Sequence, residues 1–245
     1  MYLLMGHDPA CADGMIYYAI GDIHGEDERL ADLHDQIARD VGSAAHKIVH
    51  VGDLIDRGPT SREVVVRLMR LQAEMPERII VIKGNHEELM LYAYDKEETA
   101  GLFHWANNGG DQTIASYEAA NGRGDHWRHA IDREHIKWLR TLPTIWRDEA
   151  RGLVFVHGGI DPNTFPNCSD EVRMWTRSPR FFKSAKWPER DELMDILVVH
   201  GHTPTDDFEP EVQPRRINID TGVCYGGQLT AVVLAPGQKP RFLHA

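Results

Sequence analysis

The heptapeptide Gly52-Asp53-Leu54-Ile55-Asp56-Arg57-Gly58 decides the fold of this chain. It follows the apolar run Lys47-Ile48-Val49-His50-Val51, which has the length and composition of a buried strand. Gly52 and the Gly58-Pro59 pair break regular structure on either side, so the polar residues between them occupy a turn at the strand's end. Two carboxylates and a guanidinium are thereby placed at the carboxyl edge of a sheet, where open α/β folds bind ligands. Asp53 has two oxygens with which to bridge two cations, Asp56 can hold an imidazole, and Arg57 can take a phosphate bidentately. Taken alone, the stretch has a plainer explanation, because Asp–Arg pairs are common at protein surfaces.

The arrangement recurs. Gly21-Asp22-Ile23-His24-Gly25 follows Met15-Ile16-Tyr17-Tyr18-Ala19-Ile20, and Gly84-Asn85-His86-Glu87 follows Arg78-Ile79-Ile80-Val81-Ile82. His157-Gly158-Gly159 follows Leu153-Val154-Phe155-Val156, and Gly201-His202 follows Ile196-Leu197-Val198-Val199. Each time an apolar strand ends in a glycine beside an Asp, Asn or His. The converging groups are hard oxygens and imidazoles without a thiolate, which suits Mn, Fe or Zn better than a structural zinc site.

Together these motifs resemble the signature of the metal-dependent phosphoprotein phosphatases, within the wider calcineurin-like metallophosphoesterases. The order is the same, and residues 26–51 and 59–83 give the similar spacing of the first three motifs. The resemblance spans roughly Met15 to Leu234. It is greatest toward the small bacterial and phage serine/threonine phosphatases, through Asn108-Gly109-Gly110, Trp175-Thr176-Arg177 and Ile219-Asp220-Thr221-Gly222. It implies an αββα sandwich: two facing mixed β-sheets flanked by helices. It implies two divalent metal ions, Mn²⁺ first with Fe or Zn as alternatives. Asp22 and His24 bind one, Asp53 bridges, and Asn85, His157 and His202 complete the other. It makes His86 the group that protonates the leaving oxygen, Asp56 its orienting partner, and Arg57 and Arg177 the clamp on the phosphoryl oxygens. Tyr225 lines the pocket.

Two cations about 3.5–4 Å apart can share a hydroxide in line with phosphorus, so direct hydrolysis is expected. No cysteine lies in a phosphate-cradling loop that would support a phosphoenzyme. The first reading is a protein serine/threonine phosphatase acting on phosphoproteins or small phosphoesters. The alternative is a symmetrical diadenosine tetraphosphate hydrolase, a relative that typically has Ala where Asp56 stands and Asp where Glu87 stands. A non-catalytic phosphate-binding scaffold predicts a lost ligand, and none is lost.

The bulk numbers agree with an enzyme of this kind. The 245 residues suffice for one domain with a substantial core. Hydrophobic content of 42% and charged content of 27% are ordinary for a globular protein. A net charge of −11 argues against nucleic acid as the partner. No apolar run approaches a membrane span. Cys11, Cys168 and Cys224 are far apart and odd in number, which fits a reducing cytoplasm. Residues 1–14 read as an extension, disordered ahead of a domain covering 15–245.

Periodicity places a helix over Glu26 to Asp40 and another through Val64, Val65, Leu68, Leu71 and Met75, capped by Thr60 or Ser61. The result is β-α-β-α-β with parallel strands. Residues 99–142 form a helical insert broken at Asn107-Asn108-Gly109-Gly110 and at Asn121-Gly122-Arg123-Gly124, whose tryptophans are core. Regular signals fade from Gly158 to Glu192, and only Asp170 to Met174 looks helical. Strands near Arg216–Ile219 and Leu229–Leu234 follow closely through Gly226-Gly227, which predicts a hairpin. His50 and His200 are expected to be packed, and histidines without motif context, among them His34 and His135, to be solvated.

Overall fold

The computed structural model describes residues 14–96 and 99–245; the expected extension lies, but for its last residue, outside them. Two five-stranded sheets carry the architecture. The first contains β1 (Ile16–Ile20), β2 (His46–His50) and β3 (Ile79–Val81), all parallel. Late strands complete it: β9 (Thr230–Leu234) runs antiparallel to β1, and β10 (Arg241–His244) antiparallel to β9. The second has the order β4 (Ile145–Asp148), β5 (Leu153–Val156), β6 (Leu197–His200), β8 (Arg216–Asn218), β7 (Glu211–Gln213). Here β5, β6 and β8 are parallel, with antiparallel β4 and β7 at the edges.

The two-residue period of a strand explains the layering. Tyr18 and Ile20 face one way and pack with Leu30, Leu33 and Ile37 of α1 (Asp27–Val41) and Val64, Val65 and Leu68 of α2 (Ser61–Glu74). Tyr17 and Ala19 face the other way and meet Leu153, Phe155, Val199 and Ile217 of the second sheet. Val154, Val156 and Val198 point outward again, under Ile160, Phe165, Phe181 and Trp187. The segment 158–192 thus contributes a fourth layer, although its regular structure is limited to short helices such as Asp170–Trp175.

The expected hairpin does not form. β8 and β9 belong to different sheets, and residues 219–229 cross between them. The true hairpin is β9–β10, around Ala235-Pro236-Gly237. The expected cap also differs. Thr60 precedes α2 but does not cap it; its hydroxyl accepts from the first N–H of α1, at Asp27, at 3.0 Å and donates to the Gly25 carbonyl.

Two histidines expected in solvent are not solvated. His135 is buried and bonds the Tyr117 hydroxyl at 2.8 Å. His34 on α1 meets buried His50 on β2 at 3.0 Å between Nε2 atoms, and His50 Nδ1 reaches the Ile80 carbonyl at 3.2 Å. Burial drives His50 down to about 3; burial, with Arg67 nearby, drives His34 down to about 4. Both stay neutral in the fold while the unfolded chain takes up protons near pH 6.5. The unfolded state therefore binds more protons between about 4 and 6.5, so stability is full above that window and falls as pH drops through it. The slope is up to about 1.4 kcal/mol per pH unit for each imidazole. Between about pH 7.5 and about pH 5, the denaturation midpoint of His50→Gln is expected to fall less than that of the parent; an equal fall would remove the pair as the cause.

Candidate metal centre

The carboxyl ends of β1, β2, β3, β5 and β6 meet at one place, and there the structure brings together Asp22, His24, Asp53, Asn85, His86, His157 and His202, all buried. The backbone that carries them is unusual. Of seven non-glycine residues with positive φ among the described residues, five are His24, Asp53, Asp56, Arg57 and His202. Side chains at such positions cost energy, and the surrounding structure must hold them there.

Much of that holding comes from α3 (Asn85–Asp95), which starts directly after β3. Glu87 is buried in its first turn, and its carboxylate accepts from the N–H groups of Gly84 (2.7 Å), Leu54 (2.8 Å) and Asp53 (3.0 Å). Close approach fixes Gly84: a Cβ there would lie 2.2 Å from Asp53 Oδ1. Burial and the nearby Asp53 carboxylate push Glu87 up to about 7, against the Gly84 and Leu54 N–H groups aimed at it. Glu87→Gln would turn an amide NH₂ toward N–H groups. It is expected to cost about 1–3 kcal/mol, a fall of several degrees in Tm at about 2–4 °C per kcal/mol. An unchanged Tm would show that Glu87 does not hold the loop.

Two clusters of potential ligand atoms share Asp53. One is His24, Asp53 and His86; the other is Asp53, His157 and His202. Asp53 Oδ2 lies 3.7 Å from His24 Nε2 and 3.8 Å from His86 Nε2, while Oδ1 lies 3.2 Å from His157 Nε2. Asn85 Oδ1 is 2.9 Å from His157 Nε2. Asp22 belongs to neither cluster, but its carboxylate accepts from the His202 N–H at 3.1 and 3.2 Å. His86 thus stands in the first cluster where Asp22 was expected. Its Nδ1 is committed to Asp56 Oδ2 at 2.7 Å.

The donor set fits cations. His24 Nδ1 is tied to the Ile55 carbonyl and His157 Nδ1 to the Val51 carbonyl, each at 3.0 Å. Each Nε2 lone pair is therefore turned into the site, the usual support of a metal-ligating imidazole. Arg57 already places positive charge there, its guanidinium 2.6 Å from Nε2 of His24 and 2.9 Å from Nε2 of His86. Electrostatics agree. Burial and the adjacent Asp220 raise Asp22 well above the usual carboxylate range. Burial also works to raise Asp53, but His157, His86 and His24 overcome it and hold Asp53 well below that range. Burial lowers His24 and His202 to about 3; His157 is carried up to about 10 because Asp53 and Asp22 outweigh its burial. Buried carboxylates gathered beside His24 and His202, which burial keeps neutral, call for positive charge.

The mouth is a cavity of about 250 Å³ lined by Asp53, Arg57, Asn85, His86, Trp175 and Arg177, among others. Arg177 donates to His202 Nε2 at 3.2 Å and so stands at the site, as expected. Tyr225 is outside the cavity lining, 55% exposed, with Arg57 5.5 Å above its ring. A larger cavity of about 880 Å³, near Tyr94, Trp127 and Arg128, contains none of these groups. Asp56 has further contacts that the sequence did not disclose, to Trp105 and Thr113.

The calcineurin-like phosphoesterase family matches residues 15–233. The chain belongs to that family. An asymmetrical bis(5'-nucleosyl)-tetraphosphatase PrpE of Anoxybacillus flavithermus is 28% identical over 89% of this chain and 90% of its own length. The serine/threonine-protein phosphatase 6 catalytic subunit of Drosophila melanogaster is 32% identical over 77% of this chain but 57% of its own length. A solved structure of a candidate diadenosine tetraphosphatase superposes with a TM-score of 0.66, covering 96% of this chain and 95% of its own, at 22% identity. This phosphoesterase presents two facing mixed sheets flanked by helices. It hydrolyses phosphoester-type bonds, and its His and Asp groups fit a dinuclear divalent metal site. No helix among the described residues is long and apolar enough to cross a membrane.

Proposed function

We propose that this phosphoesterase hydrolyses dinucleoside polyphosphates, the reading weighed second from sequence. The observation that carries it is the match to a dinucleoside tetraphosphatase over 90% of that relative's length, against a protein phosphatase matched over 57% of its own. The site supports it: Arg57 and Arg177 flank a small polar cavity suited to phosphates, and the exposed Tyr225 ring beside Arg57 offers a face on which a base can stack. Asp22, His24 and Asp53 would hold one cation, and Asp53, Asn85, His157 and His202 the other, with Mn²⁺ the first to test. When bound, such a pair supplies Lewis-acid polarisation of phosphoryl oxygens and a water of lowered pKa. The protein's own groups do the rest. Arg57 and Arg177 grip the transferred phosphoryl group, and His86, held at Nδ1 by Asp56, delivers the Nε2 proton to the leaving oxygen. Cys168 and Cys224 are both free, which supports a cytoplasmic setting.

One observation favours the protein phosphatase reading. His86 Nδ1 lies 2.7 Å from Asp56 Oδ2, the pairing a proton donor would use, and a serine alkoxide needs a proton far more than a nucleotide phosphate whose second pKa is about 6. The deciding experiment compares kcat/KM for diadenosine tetraphosphate, a phosphoserine peptide and a phosphotyrosine peptide with Mn²⁺. Fastest turnover of the dinucleotide is expected, and its products give the position of the cut. Faster turnover of the phosphoserine peptide would overturn the proposal.

A further inference from the structure

Asp56 is fully buried, and its carboxylate and its N–H are both held. Its Oδ2 accepts from His86 Nδ1 at 2.7 Å. The indole N–H of Trp105 is shared between Oδ2 and Oδ1, at 2.9 and 3.0 Å. The Thr113 hydroxyl donates to Oδ1 at 2.6 Å. The Asp56 N–H meets Thr113 Oγ1 at 2.9 Å and Ser61 Oγ at 3.0 Å. A hydroxyl has one proton. The carboxylate at 2.6 Å takes the Thr113 proton, so Ser61 donates to Thr113 across their 3.0 Å contact.

Trp105 ends α4 (Thr99–Trp105) and Thr113 lies in the first turn of α5 (Asp111–Asn121). The wide turn between them, Ala106–Gly110, reaches the same loop from another side: the Gly109 carbonyl accepts from Arg57 N–H at 3.1 Å. At Gly109, with φ 99°, a Cβ would lie 2.6 Å from Arg57 Cγ. One helical segment therefore grips both the partner of His86 and the backbone of Arg57.

We propose that Trp105 and Thr113 are positioning residues for proton delivery: they lock the Asp56 carboxylate so that His86 Nε2 is aimed at the leaving oxygen. A tryptophan indole in a core commonly finds some acceptor, so burial alone would not single out Trp105. What does is that its N–H and the Thr113 hydroxyl converge on the carboxylate that also holds His86, leaving that carboxylate no free rotation. Burial raises Asp56 on balance, and the His86, Thr113 and Trp105 contacts oppose that rise. The inference rests on His86 as proton donor.

The test is a leaving-group series: aryl and alkyl phosphates, or aryl esters of adenosine triphosphate if only polyphosphates are turned over. Parent, His86→Asn, Trp105→Phe, Thr113→Val and Thr113→Ser are compared. Trp105→Phe keeps most of the volume and removes the N–H; Thr113→Ser keeps the hydroxyl. For the most basic leaving groups, Trp105→Phe and Thr113→Val are expected to lose on the order of tenfold to a hundredfold, less than His86→Asn. For nitrophenol-like leaving groups the loss is expected to be smaller, and Thr113→Ser to resemble the parent. The downfield proton resonance of His86 Nδ1–H should shift in Trp105→Phe and Thr113→Val and stay in Thr113→Ser. A loss uniform along the series, with His86→Asn still steep, would reduce Trp105 and Thr113 to packing and overturn the proposal. A flat series for His86→Asn would overturn the proton-donor reading, and this inference with it.

Discussion

Asp53→Asn is expected to strip metal from both halves of the centre and to lower turnover by several kcal/mol of lost transition-state stabilisation, on the order of 10³-fold. Asp53 is the one side chain common to the two ligand clusters. Its Oδ2 faces His24 and its Oδ1 faces His157, so loss of its charge is felt on both sides at once. An amide keeps the shape but has one oxygen, and its NH₂ would meet either the His86 N–H, which Oδ1 now accepts at 3.1 Å, or the imidazoles. The loop itself should survive. The Asp53 N–H still binds Glu87, and its carbonyl still accepts from Ile23 and His24 at 2.9 Å. Metal stoichiometry after gel filtration, read with kcat and Tm, separates the cases. A variant that keeps two equivalents of metal and near-parental turnover would contradict a bridging role.

The second large effect is expected at His86. His86→Asn should slow substrates with strongly basic leaving oxygens by on the order of 10²–10⁴, while leaving groups such as nitrophenolate or a nucleotide phosphate lose clearly less. His86 is 1% exposed, its Nδ1 bound to Asp56, its Nε2 turned to the cavity. Burial works to lower its pKa, but Asp53 and Asp56 outweigh that and raise it, which keeps a proton available. Asp56→Asn should show the same pattern more weakly, and the double variant should be no worse than His86→Asn, because the pair acts as one unit. The measurement that matters most is metal content. His86 Nε2 also lies 3.8 Å from Asp53 Oδ2, within one candidate cluster. If His86→Asn loses metal, or slows all substrates alike, His86 is a ligand and the proton comes from elsewhere.

The parts of this centre legible in the sequence are those written in short range. A strand that ends in glycine followed by Asp, Asn or His places its polar group at a sheet edge whatever the rest of the chain does, and all five such ends converge. Arg177 and Asp56 were found through local motifs in the same way. Contacts decided by packing were not legible. Nothing near Trp105 or Thr113 in sequence discloses a carboxylate at residue 56, because only the docking of α4 and α5 brings them together. The hairpin error has the same origin. Gly226-Gly227 does mark a reversal, but a turn signal does not say which sheet receives the next strand. β4, β7 and β10 are three or four residues long and carry charges, so alternation had too few positions to register.

The strand order also sets a timetable. β1 pairs on one side with β2, made soon after it, and on the other with β9, made long afterwards. The Asp22 carboxylate likewise waits for the His202 N–H, 180 residues later. A ribosome emits the chain from one end, so β1, β2 and β3 can associate early while the opposite edge of β1 stays open to any passing strand. Metal capture at the proposed centre has to wait until His202 has emerged and β9 has closed that edge. A polypeptide released before then would carry an unprotected sheet edge and half a cation site, a natural target for chaperones and proteases.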